Sequence, residues 1–374
     1  MEFLQFVKEY WFLITLIISV ITAGLYMLVF HVTPWDTYRQ MSERKRAVAT
    51  HLKLGKKLLD LGHYKQALAE YEHSLRLDPA NPEALEGKRK ADMFLQVDTV
   101  EWKPGEAVAY KDVFSSREDH HILHFMGILS EKIGDSEAAL SYYEQARLAY
   151  QRANPDSQAD YYAALFNIGW LKYSRKRFDE MAGCFEKMCQ LAEFDYRGFH
   201  GRGYALYMKA VHLANADGAA AVAVLQQATD MLYSAQRYVP NILVINTDIG
   251  EVTRIIDPDF SIRSHQRAMD CIRQDELYNL HENQGTIFVT LLCSDHDVWL
   301  TNRQEKIAWV TYLLALDHYA KAKRFAAGDS AMFEHDRLVK EAEKYQETPG
   351  PRMLYDDQKI IMDRFLAGLA SAGH

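Results

Sequence analysis

LGHYKQALAEYEHSLRLDP, from Leu61 to Pro79, decides how the chain is read. Ala67, Tyr71 and Ser74 recur at helical spacing, so one face of this segment is small and apolar and suits close contact with another helix. Gly62 just ahead of it supplies the left-handed conformation that a tight turn requires. Asp78-Pro79 then closes the segment, because proline lacks the backbone donor and disfavours helix in the residue before it. Upstream, Gly55 lies sixteen residues before Tyr71. A first helix carrying that glycine would let the tyrosine ring lie against its backbone.

Working outward, the same spacing recurs in a 34-residue frame. With Val48 as position 1, Gly55, Gly62, Tyr64, Ala67, Tyr71, Ser74 and Pro79 take positions 8, 15, 17, 20, 24, 27 and 32. From His120, Leu123, Met126 and Gly127 take positions 4, 7 and 8, Gly134 takes 15, and Ala139, Tyr143 and Ala146 take 20, 24 and 27. A third copy from Tyr162 places Leu165, Ile168 and Gly169 at 4, 7 and 8, and Phe178, Met181, Phe185 and Met188 at 17, 20, 24 and 27. In this copy Lys176 replaces the turn glycine and Met181 the small residue, so the pattern leaves close packing open here.

Unit length and pattern together resemble the tetratricopeptide repeat, a helix–turn–helix module that stacks into a solenoid. The resemblance implies an all-α fold that acts by binding. The expected organisation is a membrane segment over 1–32, a basic linker over 33–47, a first repeat with covering helix over 48–96, and an insert over 97–119. Repeats and repeat-like pairs then fill 120–272, and a helical region fills 273–374. Within the insert, VDTVEWKPGEAVAY (97–110) reads as a hairpin over Pro104-Gly105 or as a loop. Gly198–Tyr233 reads as two helices out of frame, and Asn241–Ile272 as a pair broken at Asp257-Pro258. Ile307–Phe325 and Ala331–Tyr345 read as a helical hairpin, followed after TPGP by an amphipathic helix over Leu354–Leu369.

Tyr10–Phe30, YWFLITLIISVITAGLYMLVF, has no ionisable side chain besides its tyrosines. Twenty-one residues at about 1.5 Å each cover roughly 31 Å, the thickness of a bilayer core. Glu2 and Glu9 ahead of it, the length of the run and the lack of an AxA-like site argue against a cleaved signal peptide. Between Arg39 and Lys57 there are seven basic residues against the single acid Glu43, whereas the whole chain of 374 residues carries a net charge of −8. Cations beside a span favour the cytoplasmic side. A single-pass protein of the inner (cytoplasmic) membrane is therefore expected, with residues 10–30 in lipid, Arg39, Arg44, Lys45 and Arg46 forming a collar at its surface, and the C-terminal portion in the cytoplasm. A solvated first helix explains the collar equally well.

In stacked repeats of this kind, positions 2, 5, 9 and 12 of the first helix are implied to line a concave groove. These include His121 and His124 in the second copy and Phe166, Trp170 and Tyr173 in the third, with Asn167 beside them at position 6. The residues are read as a groove for a protein or peptide partner, or else as core against the next helix pair. Some family members clamp a terminal carboxylate with lysine and asparagine at positions 5 and 9. Leu52, Lys56, His124 and Ile128 stand there, which disfavours that clamp.

Other chemistry is weakly signalled. The acidic balance argues against nucleic acid as a partner. Cys184, Cys189, Cys271 and Cys293 show no metal-ligand spacing. His120 and His124 make only two ligands of a zinc site. SDHD (294–297) is explained by a capped loop, His281 lacks the zincin spacing, and GFHGRG (198–203) suits helix contact better than a phosphate loop. No cofactor, metal or catalytic residue is expected. The alternatives are a sensory or catalytic domain in the last hundred residues and an organellar receptor. A bacterial complex for envelope assembly, secretion or motility is the first expectation.

Overall fold

The computed structural model describes residues 11, 15–16, 18–22, 24, 34–99, 119–155, 160–214, 216–278, 287–290, 297–300, 302–325, 328–345 and 350–372. The chain divides into two compact units, Met1–Arg117 with Ile128–Gly134, and Glu118–Gly127 with Asp135–His374.

The first unit holds α1 (Pro34–Asp60), α2 (Tyr64–Leu77) and α3 (Pro82–Thr99). Gly62 turns the chain at φ 75°, and its N–H bonds Leu59 O at 3.0 Å. α2 stops before Asp78-Pro79, and Asn81 caps α3 by accepting from the Ala84 N–H at 3.0 Å. Tyr71, 3% exposed, sits between two glycines: a Cβ on Gly55 would come 3.0 Å from its ring, and one on Gly87 2.3 Å. Gly87 also lies sixteen residues from Tyr71 in sequence, on the far side from Gly55. The quoted stretch thus builds both faces of its contact.

The second unit begins with the first two turns of α4 (His120–Lys132), then α5 (Ser136–Ala153), α6 (Tyr162–Ser174), α7 (Phe178–Leu191), α8 (Tyr196–Leu213), α9 (Gly218–Tyr238), α10 (Leu243–Thr253) and α11 (Pro258–Tyr278). Asp135, Asp195, Asp217 and Asp257 each accept from a first-turn N–H of the helix they precede. The glycine–ring pairing recurs: Cβ atoms on Gly127, Gly169 and Gly201 would lie 2.3 Å from Tyr143, 2.7 Å from Phe185 and 2.4 Å from Phe185. Packing around the third repeat is therefore close. Lys176 itself adopts φ 58° where glycine stands in the other turns, and Met181 is fully buried in the small-residue position. GFHGRG lies inside α8, and its glycines meet Cys189, Phe185 and Leu232.

The fold is an all-α helical repeat as expected, with one short ladder beside the helices. Ile287–Thr290 (β1) and Asp297–Leu300 (β2) pair antiparallel, with Ile287 opposite Leu300 and Thr290 opposite Asp297. Their β-branched and aromatic content suits a strand more than a helix. α12 (Arg303–Phe325), α13 (Gly328–Ala342) and α14 (Gly350–Ala372) complete the second unit. The last hundred residues are thus part of that unit, and α12 supplies its core with Trp309, Tyr312 and Leu316, each at most 1% exposed.

Most of the expected span at 10–30, most of the insert at 97–119, and the segments around His281 and 294–296 lie outside the described residues. Among the described residues, no helix is long and apolar enough to cross a membrane. Trp11, Thr15, Leu16, residues 18–22 and Gly24 are helical, and Thr15, Ser19 and Thr22 return their hydroxyls to carbonyls four residues back at 2.7–2.8 Å.

Candidate functional site

In the second unit, α6, α8 and α10 are the first helices of successive pairs, and each carries a half-buried stripe at spacings of three and four. On α6 the stripe is Phe166 and Trp170, on α8 Arg197, His200 and Tyr204, and on α10 Asp248 and Glu251. Ring contacts join the stripes into one face. Trp170 lies 5.9 Å from Tyr204 and 6.3 Å from His200 between centroids, and Tyr173 lies 5.7 Å from Tyr204. His200 Nε2 meets Asp248 Oδ2 at 2.5 Å, linking α8 to α10. The Arg197 guanidinium covers the Tyr162 ring at 5.0 Å and the Phe166 ring at 5.7 Å, and Asp195 holds it at 2.7 Å.

Side by side, these groups make an aromatic strip with a cation at one edge and carboxylates at the other. The rings offer broad apolar contact at low entropic cost, which suits recognition of a peptide or helix. Burial pushes the Tyr204 phenol well up, with Tyr173, Asp248 and Glu251 adding to the effect, so the hydroxyl stays a neutral donor and acceptor. Burial also lifts the Glu251 carboxyl to about 8, against the pull of Arg254.

Of the expected site residues, Phe166 and Trp170 reach this face. Tyr173 is 9% exposed and forms its floor against Phe178 and Tyr204. Asn167 donates from Nδ2 to the Tyr143 hydroxyl at 2.9 Å, a tie between repeats. His121 and His124 are corrected: they are 3% and 1% exposed and lie under Tyr161, whose ring meets theirs edge-on at 6.0 and 5.4 Å. Tyr161 lies just ahead of α6 and outside the repeat frame, so the frame could not show which ring covers the histidines. Burial, then the neighbouring His121 and His120, hold the His124 imidazole down to about 3. His200, Tyr204, Asp248 and Glu251 were not legible as candidate residues, because α8 and α10 fall outside the repeat frame.

The basic collar lies on α1. Arg39, Arg46, Lys53 and Lys57 are exposed and, at steps of seven, seven and four, share one stripe. Arg39 pairs with Glu43 at 3.0 Å. Arg44 donates to the Leu77 carbonyl at the end of α2, where a cation also favours the helix terminus. Lys45 is exposed beside them.

The second unit also holds a fully buried polar cluster. Arg254 Nε and Ser261 Oγ donate to Asp317 Oδ1 at 2.7 and 2.6 Å, and His265 Nδ1 meets Asp317 Oδ2 at 2.6 Å. Burial alone would raise the Asp317 carboxyl, but His265, Arg254 and Ser261 outweigh it and hold it below its usual range. The cluster ties α10 and α11 to α12.

Residues 37–81 match the tetratricopeptide repeat family, so α1 and α2 are such a repeat. No curated protein matches the chain in sequence. Among solved structures the chain is similar to a tetratricopeptide repeat protein from Parabacteroides merdae, at 14% identity, 84% of this chain, 99% of that one and TM-score 0.38. It is also similar to YrrB, described as a TPR protein with an unusual peptide-binding site, at 13%, 65%, 95% and 0.32. A third is the human IFIT1 dimer with m7Gppp-AAAA, at 14%, 87%, 72% and 0.42. These likenesses concern the fold alone.

Proposed function

We propose that this tetratricopeptide-repeat chain is a membrane-anchored scaffold. It holds a protein or peptide partner on the aromatic face of α6, α8 and α10 and recruits it to a membrane complex. The observation that carries the reading is the ring-to-ring continuity of Phe166, Trp170 and Tyr204 with the His200–Asp248 pair, a half-buried stripe across three helices. A face of that kind has apolar area to cover and fixed polar groups to set register.

The anchor reading rests on the sequence of 10–30 and on the exposed cationic stripe of α1. Each cation near anionic lipid adds roughly 1 kcal/mol of attraction. Tethering confines the face to a surface and raises the local concentration of what it binds. The setting we assign is a bacterial inner membrane with the repeats cytoplasmic, in envelope assembly, secretion or motility. Its action is binding, not catalysis.

Affinity capture from detergent-solubilised membranes tests the scaffold. Trp170→Ala with Tyr204→Ala should lose one specific partner while helical content by circular dichroism is unchanged. Unaltered capture by a folded double variant refutes the face. Deleting 10–30 should move the protein from the carbonate-washed membrane fraction to the supernatant. Alkaline phosphatase activity from a C-terminal fusion would refute the orientation.

A further inference from the structure

The two edges of the aromatic face differ in what they leave unpaired. At the α6 edge the Arg197 cation is engaged. Both Asp195 carboxylate oxygens accept from it at 2.7–3.3 Å, and it lies over the Tyr162 and Phe166 rings. At the α10 edge Asp248 meets His200 through Oδ2 alone. Among the described residues, neither Asp248 Oδ1 nor the Glu251 carboxyl has a hydrogen-bond donor. Both side chains are half-buried, and a spacing of three puts them on one side of α10.

The rings beside these carboxyl groups also favour a cation. Trp170, Tyr173 and Tyr204 lie 5.7–5.9 Å apart between centroids with their planes inclined at 48–73°. The face of such a ring carries negative charge. Burial lifts the Glu251 carboxyl to about 8, so it holds its proton near neutrality until a cation arrives. Facing it are Asp248 and Arg254 on its own helix, Tyr204 and Tyr207 on α8, and Asp317 on α12. Arg254 is bonded to Asp317, as is His265 of α11. α9 and α14 line the same side with Leu225 and Gln358, which carry no charge.

We propose that the partner is a peptide segment with a basic side chain set on Asp248 and Glu251 against the Tyr204 ring, and with large apolar residues next to it covering Trp170 and Phe166. This partner chemistry rests on the aromatic face being the binding surface. A phosphate or an acidic segment would bring negative charge to two carboxyl groups. A purely apolar helix would cover them without supplying a donor.

The test is selection of displayed random peptides at pH 7.5 on the full chain in phosphatidylcholine nanodiscs. Selected peptides should share one position rich in lysine and arginine, flanked by leucine, phenylalanine or tryptophan. In a synthetic copy, changing that basic residue to norleucine should weaken binding roughly ten-fold or more. On Asp248→Asn with Glu251→Gln the same change should cost less than about three-fold. Comparing two ligands on each protein cancels general damage from the substitutions. Because a bound cation favours ionised Glu251, affinity should rise about three-fold or more from pH 6.5 to 8.5, and Glu251→Gln should flatten that rise. Three results overturn the proposal and leave the face intact: apolar peptides with no basic position, an undiminished norleucine effect in the double variant, or a pH response that Glu251→Gln does not alter. A dimer of the chain that Trp170→Ala with Tyr204→Ala dissociates makes a second copy the occupant and overturns it too. No enrichment at all, or the same enrichment on Trp170→Ala with Tyr204→Ala, removes the face and the proposal together.

Discussion

Gly201→Ala and Gly183→Ala differ by position alone, and the structure gives them opposite signs. Both glycines are inside helices, where alanine gains about 0.8–1 kcal/mol in propensity. At Gly183 an added Cβ meets nothing within 4 Å, so most of that gain should appear as stability. At Gly201 the Cβ would lie 2.4 Å from both Cδ1 and Cε1 of Phe185. Ordinary carbon contacts are about 3.5–4.0 Å, so the ring must retreat by roughly 1 Å. Retreat is blocked, because Phe185 is 0% exposed and Gly169 backs it at 2.7 Å for a Cβ. Overpacking of this kind costs about 1–3 kcal/mol, which offsets the propensity gain and leaves Gly201→Ala net destabilising by up to roughly 2 kcal/mol. Both share the propensity gain, so the two variants should be separated by the overpacking cost, about 1–3 kcal/mol. Urea unfolding followed by circular dichroism measures the separation, and amide exchange in α7 and α8 localises it. Phe185→Leu in the Gly201→Ala background should recover at least about 1 kcal/mol of coupling. Equal stability of the two alanine variants, or no coupling to Phe185, would refute the ring-between-glycines account.

The other expectations concern charge and backbone. Glu251 has a folded-state pKa of about 8, above its unfolded value, so the unfolded chain releases the proton first. Stability should fall as pH rises between the two, by at most roughly 1.4 kcal/mol per unit and less for a partly exposed group. Glu251→Gln should flatten that slope in urea midpoints, and an unchanged slope would exclude Glu251 as its source. Asp317→Asn removes a carboxylate that Arg254 and His265 both contact at 0% exposure, and should cost about 3–5 kcal/mol. A loss below about 1 kcal/mol would show the cluster to be dispensable. Lys176→Gly relieves a φ of 58° and should raise the melting temperature by the equivalent of about 1 kcal/mol. Replacing Arg39, Arg46, Lys53 and Lys57 with glutamine should lower association with phosphatidylglycerol vesicles by roughly 1 kcal/mol per cation, an effect that salt suppresses in the wild type.

What the sequence determined by itself is the local pairing. Sixteen residues separate Gly55 from Tyr71, Gly127 from Tyr143 and Gly169 from Phe185, and each pair meets in the fold. That works because the two helices of one repeat are joined by a short fixed turn, so a chemical pattern at constant spacing becomes a contact. The half-buried stripe of Phe166 and Trp170 on α6 follows from the same helical periodicity. Tertiary structure alone decided what crosses between pairs. His121 and His124 disappear under Tyr161, a ring that lies outside the repeat frame. His200 reaches Asp248 across 48 residues, and Arg254 reaches Asp317 across 63. Periodicity fixes which side of a helix is apolar. The neighbour that side finds depends on helix length, connecting segments and the accumulated rotation of the stack, which no single repeat encodes.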